Sequence, residues 1–233
     1  MKKVLVFRHA PGEGPGYFAQ FLDRHSIPYN LIRIDQNEPV PDSIADASGL
    51  VMMGGPMSVN DPLPWIPRVL DLVRQAMSAD LPVLGHCLGG QLLSKALGGT
   101  VAPNPVREIG WLPVQQCQNV ATRDWLDGLA PELEVFHWHG ETFTIPQGAT
   151  HILASHACAN QGFVIGKAVG LQCHVEMLEK MVEDWARLGK DEIATPSATV
   201  QSLEQMTENL EHRIGLLHKI ADVLYSRWIR GLR

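Results

Sequence analysis

The sequence predicts an α/β protein of flavodoxin-like type, with a mostly parallel central sheet, helices on both faces, additional short antiparallel strands in the second half and a long C-terminal helix. Three observations predict it. Short β-branched runs alternate with longer helical patterns through the first half, as expected for strands covered on both sides. From about Val101 to Cys173 the strand-like runs are shorter, and Pro and Gly punctuate what reads as turns. Beyond Leu178 the apolar period is helical.

Taken in order, Val4 to Phe7 reads as the first strand, followed by the Pro/Gly-rich loop Pro11 to Gly16 and a helix from about Tyr17 to His25. Strands are expected at Tyr29 to Ile34 and Leu50 to Met53. Next, Ile66, Val69, Leu70, Val73 and Met77 recur at helical spacing. Leu81 to Leu84 is a buried-type strand between Pro82 and Gly85, and Leu88 to Leu97 is a helix stopped by Gly98 and Gly99. Trp111 to Val114, Leu133 to Trp138, Phe163 to Ile165 and Val169 to Cys173 are the strands of the second half. Two helices close the chain, Leu178 to Leu188 and a long pattern from about Ser197 to Ile229. In the last one Leu203, Leu210, Leu217 and Leu224 recur every seventh residue. A helix packed on the sheet explains this better than a coiled-coil seam between two copies, because Thr207 lies on the stripe and Gly215 near its middle. A homodimer stays open.

The 233 residues, 45% apolar and 19% charged, suit a globular chain with a full-sized core. With 19 basic and 25 acidic residues the net charge is −6, and the charges are scattered, so a nucleic-acid partner held through phosphates is not expected. The start, MKKVLVF, runs straight into a strand without a cleavage site, and no run of apolar residues is long enough to span a bilayer, so a cytoplasmic protein is expected. Cys87, Cys117, Cys158 and Cys173 show no C-x-x-C spacing and read as free thiols.

One cysteine stands in a setting that makes a thiol useful. In LPVLGHCLGGQLLSKALGG, Leu81 to Gly99, a strand runs into a Gly-flanked Cys87 and a helix begins at once. A nucleophile on such a turn projects above the sheet, and Gly85, Gly89 and Gly90 keep the turn uncrowded. The helix N-terminus supplies unpaired N–H groups and a positive dipole end, which favour a thiolate and an oxyanion. A thiol nucleophile also needs a base, and the base an orienting acceptor. His174 and Glu176, two apart at the end of a strand, project to one face and meet that need. Cys173, which precedes His174, would point to the opposite face of its strand.

These segments resemble those of the class I, or triad, glutamine amidotransferases, and most of all the glutaminase part of GMP synthase and stand-alone proteins like it. GHCLGGQ, Gly85 to Gln91, matches the family's G-x-C-x-G-x-Q nucleophile motif, and VGLQCHVE, Val169 to Glu176, is similar to its terminal His-x-Glu motif. MGGPMSV, Met53 to Val59, resembles its Gly-Gly-Pro loop, and HWHGE, His137 to Glu141, its His-Gly pocket segment. The four occur in the family's order. Val175 stands where the family usually has Pro, Cys173 where an aromatic is common, and His86 where an aliphatic is common.

The resemblance implies Cys87 as nucleophile, His174 as base and then acid, and Glu176 as its orienter. It also implies Gly55 and Leu88 as backbone oxyanion donors, with Gly54, Gln91, His139, Gly140 and Glu141 around a γ-glutamyl head group. No metal or organic cofactor is implied. Residues 1–190 would form the amidotransferase-like domain and 191–233 a C-terminal helical extension packed on it.

The expected reaction is release of ammonia from glutamine or a γ-glutamyl amide through a γ-glutamyl thioester. An ammonia-accepting synthetase, if one exists, would be a separate partner, because the sequence shows no ATP-binding P-loop, and this favours a stand-alone protein. The alternatives are a stand-alone γ-glutamyl peptidase or hydrolase on a larger substrate, and a non-catalytic regulatory protein that keeps the fold.

Three other features read as structural. His137 and His139 lie two apart, but no cysteine or carboxylate joins them at metal-ligand spacing, so a metal is not expected there. PGEGPG, Pro11 to Gly16, lacks a Walker lysine and reads as a substrate-side loop or plain turn. His86 reads as a histidine satisfied inside the fold.

Overall fold

The computed structural model describes residues 2–233. Nine strands form one sheet in the order β2-β1-β3-β4-β9-β8-β7-β5-β6. The parallel half contains β1 (Lys3–Arg8), β2 (Tyr29–Arg33), β3 (Ala47–Met52), β4 (Val83–His86) and β9 (Ala168–Leu171). The antiparallel half continues from β9 through β8 (Gly162–Ile165) and β7 (Thr150–Ala154) to β5 (Val101–Gln116) and β6 (Glu132–Phe143). The α/β class and its mostly parallel centre agree with the sequence.

Alternation along the central strands sorts their side chains into two cores. Val4, Val6, Val51 and Met53 face one side with α1 (Gly16–Arg24), α4 (Val120–Leu126), α5 (Glu179–Leu188) and α7 (Leu210–Ile229). Phe7, Leu50 and Met52 face the other, with α2 (Trp65–Ser78) and α3 (Leu88–Ala96). The α2 residues Ile66, Val69 and Val73 are buried as their spacing requires.

Two expectations are corrected. Pro103, Pro105, Gly110 and Pro113 do not mark turns between short strands; they lie inside the 16-residue β5. Its pairing with β6 breaks register between Pro103 and Glu108, so Pro105 sits inside the break, while Pro103 and Pro113 keep Glu141 and Glu134 opposite them. The helical pattern expected from Ser197 to Ile229 is also divided, into α6 (Leu203–Thr207) and α7. Ser202 and Gln205 form a capping box that starts α6, and Asn209 adopts a left-handed conformation, φ 52°, that ends the first piece and opens the second. Leu210, Leu217 and Leu224 are buried within this chain, whereas Leu203 is 43% exposed. The heptad stripe is thus an inner face. Among the described residues no helix is long and apolar enough to cross a membrane.

Helix α7 reaches the middle of the molecule. Phe18 of α1 meets Tyr225 and Trp228 edge to face at 4.8 and 5.6 Å, and Tyr17 stacks on His218 at 3.5 Å. This packing holds the helix layer under β4 and β9, the adjacent strands whose ends carry Cys87 and His174.

Candidate active site

Strand β4 ends at His86 and α3 begins at Leu88, so Cys87 is the single residue of the turn. Its backbone angles, φ 49° and ψ −109°, are uncommon for any L-residue, the mark of a nucleophile elbow. The turn is pinned on both sides. Cys87 N–H donates to Leu171 O at 2.8 Å, and Gln91 N–H donates to Cys87 O at 3.0 Å as the first helical bond. The glycines act by allowing close approach rather than by freeing the turn. A methyl group on Gly89 would lie 2.0 Å from Met52 O and one on Gly90 2.3 Å from Leu171 O, so α3 lies directly on the strand ends.

Beyond β9 the chain stays extended, and His174 pairs with Phe136 of β6, its N–H donating to Phe136 O at 2.8 Å. His174 Nδ1 lies 2.7 Å from Glu176 Oε1, both side chains buried. With Nδ1–H donated to the carboxylate, Nε2 is left with no hydrogen-bond partner among the described residues. Burial alone would depress the His174 pKa, but Glu176 and the neighbouring Cys87 thiol raise it well above the ordinary value. Burial alone would raise the Glu176 carboxyl; facing His86 and His174, it is held at about 2. Trp185 of α5 covers His174 edge to face at 4.9 Å.

The sulfur of Cys87 lies 3.9 Å from Trp138 O and 3.5 Å from Gln172 Nε2, whose own amide oxygen accepts from Gln91 Nε2 at 3.2 Å. The thiol opens onto a cleft of about 620 Å³, which Gly55, Gln91, His139, Gly140 and Glu141 also line. Gly54, Leu88, His174 and Glu176 lie behind that surface. The N–H of Leu88, first in α3, has no intrahelical acceptor. Gly55 packs against the Leu88 side chain, since a methyl group there would lie 2.6 Å from Leu88 Cδ2. His139 differs from a simple pocket donor: Nδ1 lies 3.0 Å from Glu141 O and Nε2 2.9 Å from Glu108 Oε2, so it offers the cleft a ring edge.

A model of the family described as glutamine amidotransferase class-I matches residues 19–182. The chain belongs to the class-I glutamine amidotransferase family. It is 28% identical over 198 residues to a putative glutamine amidotransferase-like protein, YfeJ, of Salmonella typhimurium, covering 82% of this chain and 83% of that one. To a GMP synthase of Thermomicrobium roseum it is 34% identical over 131 residues, covering 55% of this chain but 23% of that longer protein. The crystal structure of a glutamine amido transferase from Methylobacillus flagellatus superposes with a TM-score of 0.97 at 44% identity, covering 100% of this chain and 96% of that one.

Several residues around the amidotransferase site are not legible as motifs. Glu13 of the Pro11–Gly16 loop comes close to His174: a methyl group on Gly54 would lie 2.3 Å from Glu13 Oε2 and 3.1 Å from His174 Cε1. Burial raises its carboxyl to about 7, against an opposing effect of His174. The loop is therefore a wall of the cleft. His9 holds the Gly-Gly-Pro loop from behind, with Nδ1 3.0 Å from Met53 O; burial lowers its pKa to about 4 and keeps it neutral. Trp185 Nε1 donates to Gly12 O at 2.9 Å and ties α5 to the loop. Gln172 could have been found by parity, since it shares a strand face with His174. His86 is only half satisfied. Its Nε2 lies 3.0 Å from Tyr225 Oη and 3.7 Å from Glu176 Oε2, while Nδ1 has no partner among the described residues, and burial lowers its pKa.

Proposed function

We propose that this amidotransferase hydrolyses the side-chain amide of glutamine, or of a γ-glutamyl compound, through Cys87, His174 and Glu176. The observation that carries the reading is the strained Cys87 at the N-terminus of α3 beside a buried His174–Glu176 pair bonded at 2.7 Å. Cys87 Sγ attacks the amide carbon as its proton moves to His174 Nε2. The oxygen that gains charge is placed for the N–H groups of Gly55 and Leu88, where preorganised donors cost no reorganisation. The imidazolium, held by Glu176, returns the proton to the departing nitrogen, and ammonia leaves with a γ-glutamyl thioester on Cys87. A water that gives its proton to His174 then cleaves the thioester, releasing glutamate and the thiol. Glu13, which finds no hydrogen-bond donor among the described residues, suits the α-ammonium of the substrate.

The cleft favours a second substrate reading as well. Its outer part is lined by Arg107, Trp138, Trp185, Leu188, Gly189 and Glu192. A volume of about 620 Å³ falls within the range of sites that take drug-sized ligands, and free glutamine fills part of it. This supports a γ-glutamyl amide or peptide whose leaving amine occupies the outer half, beside the reading in which ammonia passes to a partner synthetase.

The test is ammonia release by wild type and Cys87→Ala, with glutamine and with γ-glutamyl amides of increasing leaving-group size. Wild type is expected to show activity that Cys87→Ala lowers by at least about 10³-fold. A mass increase of one γ-glutamyl group on Cys87 after rapid acid quench identifies the intermediate. Equal rates in the two proteins on every substrate, with and without candidate synthetases, would overturn the reading.

A further inference from the structure

His137 on β6 is wholly buried, and neither of its ring nitrogens makes a well-aligned hydrogen bond among the described residues, the backbone of Leu112 being in loose contact only. An unsatisfied buried donor or acceptor costs about 1–3 kcal/mol, so an orphaned imidazole needs an explanation. Two further donors lie beside it. His139, two residues on, projects to the same side of β6, and Glu108 stands directly opposite His139 in the β5–β6 register. One donor atom from each of the three lies within 4.8 Å of the others, and all three residues are buried.

The contact between the second and third residues is informative. His139 Nδ1 faces Glu141 O at 3.0 Å, an acceptor, so the proton of a neutral ring belongs on Nδ1 and the lone pair of Nε2 points toward Glu108. That nitrogen and Glu108 Oε2 are 2.9 Å apart, yet not aligned as a hydrogen bond. Two electron-rich atoms at that separation call for a cation between or beside them. The rest of Glu108 is already fixed: Oε1 accepts from Ser155 Oγ at 2.7 Å and Oε2 from Gln161 Nε2 at 2.6 Å. A carbonyl on the far nitrogen of a histidine and hydrogen bonds on a carboxylate are the outer contacts that orient metal ligands.

We propose that Glu108, His137 and His139 form a binding site for one divalent transition-metal ion of the zinc class. Two imidazoles and a carboxylate suit Zn²⁺, and three protein ligands leave a fourth position for water. His139 lines the cleft and provides the way in. Bonds of 2.0–2.2 Å need donors roughly 3.3 Å apart, which side-chain adjustments of about 1 Å supply. The ion would clip β5 to β6 behind Trp138, the residue whose carbonyl faces Cys87 Sγ. The sequence alone points away from this site because its carboxylate comes from another strand.

The test uses Cys87→Ser protein, which removes the cleft thiol as a competing ligand and makes the result independent of any amidase activity. Titration with Co²⁺ is expected to give one ion per chain, with visible absorption bands of low coordination number and no sulfur charge-transfer band. Zn²⁺ should displace it and raise Tm. In Cys87→Ser carrying also His137→Gln or Glu108→Gln, affinity should fall at least 10-fold and the Tm gain should vanish. Because those variants could lose the fold, X-ray absorption on Zn²⁺-loaded wild type supplies a second measurement, expected to show nitrogen and oxygen neighbours with imidazole scattering and no sulfur. Absence of stoichiometric binding, sulfur in the first shell, or binding that survives both substitutions in folded protein overturns the proposal; the Glu108–His139 contact is then an ordinary ion pair.

Discussion

At the scale of single residues, Glu13 and Glu176 sit within one site and titrate in opposite directions. Glu176 is held at about 2, while burial takes Glu13 to about 7. For Glu13 the folded state binds the proton more tightly than the unfolded chain, whose carboxyl titrates near 4.5. Stability linked to it is therefore present below pH 4.5 and lost as pH rises through 7. Glu13→Gln should raise Tm relative to wild type at pH 8 and leave it unchanged at pH 4, in parallel thermal melts. The same substitution should raise KM for a γ-glutamyl substrate if Glu13 faces its α-ammonium. Glu176→Gln, in contrast, should lower kcat by about 10²–10⁴-fold with the thiol still present and alkylatable, because His174 loses the partner that fixes its tautomer. Cys87, His174 and Glu176, the triad we propose, stand out in the sequence because each lies in a short contiguous pattern. Glu13, Glu108 and Trp185 do not, since nothing local distinguishes a surface carboxylate from one that the fold turns inward.

At the scale of elements, β5 and α7 show what sequence periodicity resolves and what it misses. Three prolines in β5 imitate turns, yet the strand persists because its partner β6 pairs around the register break. The sequence reading passes over β7 and α4. The leucine stripe of α7 predicts an amphipathic helix correctly, but the left-handed Asn209 that starts it is a single-residue decision. Helix α7 also supports the site, through the Tyr225 hydroxyl on His86, which in turn lies 3.7 Å from Glu176. Tyr225→Phe should cost about 1 kcal/mol in chemical denaturation. Trp228→Ala should cost about 3–5 kcal/mol, as expected for a buried aromatic whose space the core cannot refill.

At the scale of the whole molecule, the sheet joins two unlike halves at β9. The parallel half brings Cys87 and the Gly-Gly-Pro loop; the antiparallel half brings the wall that carries Trp138, His139 and Glu141. The four motifs met in the sequence belong to both halves, which is why their order along the chain predicted a common site without fixing its shape. The shape depends on segments at the two ends, the Pro11–Gly16 loop and α5, joined by the Trp185–Gly12 hydrogen bond. Leu188, 80% exposed, ends α5 at the cleft rim. Trp185→Phe should therefore alter KM for bulky γ-glutamyl amides more than for glutamine, measured on the same preparation. Removal of residues 203–233 should yield protein that fails to fold cooperatively, because Phe18, Phe21 and His86 would lose their partners together.

The backbone of Cys87 sets the demands of stability against those of chemistry. A residue with a side chain is held at φ 49° and ψ −109°, a conformation that glycine enters far more easily. Selection on folding alone would place glycine at this turn, and Cys87→Gly should melt higher than wild type while losing all nucleophilic activity. A cysteine kept at such a position is a residue that the fold tolerates and the proposed reaction would require.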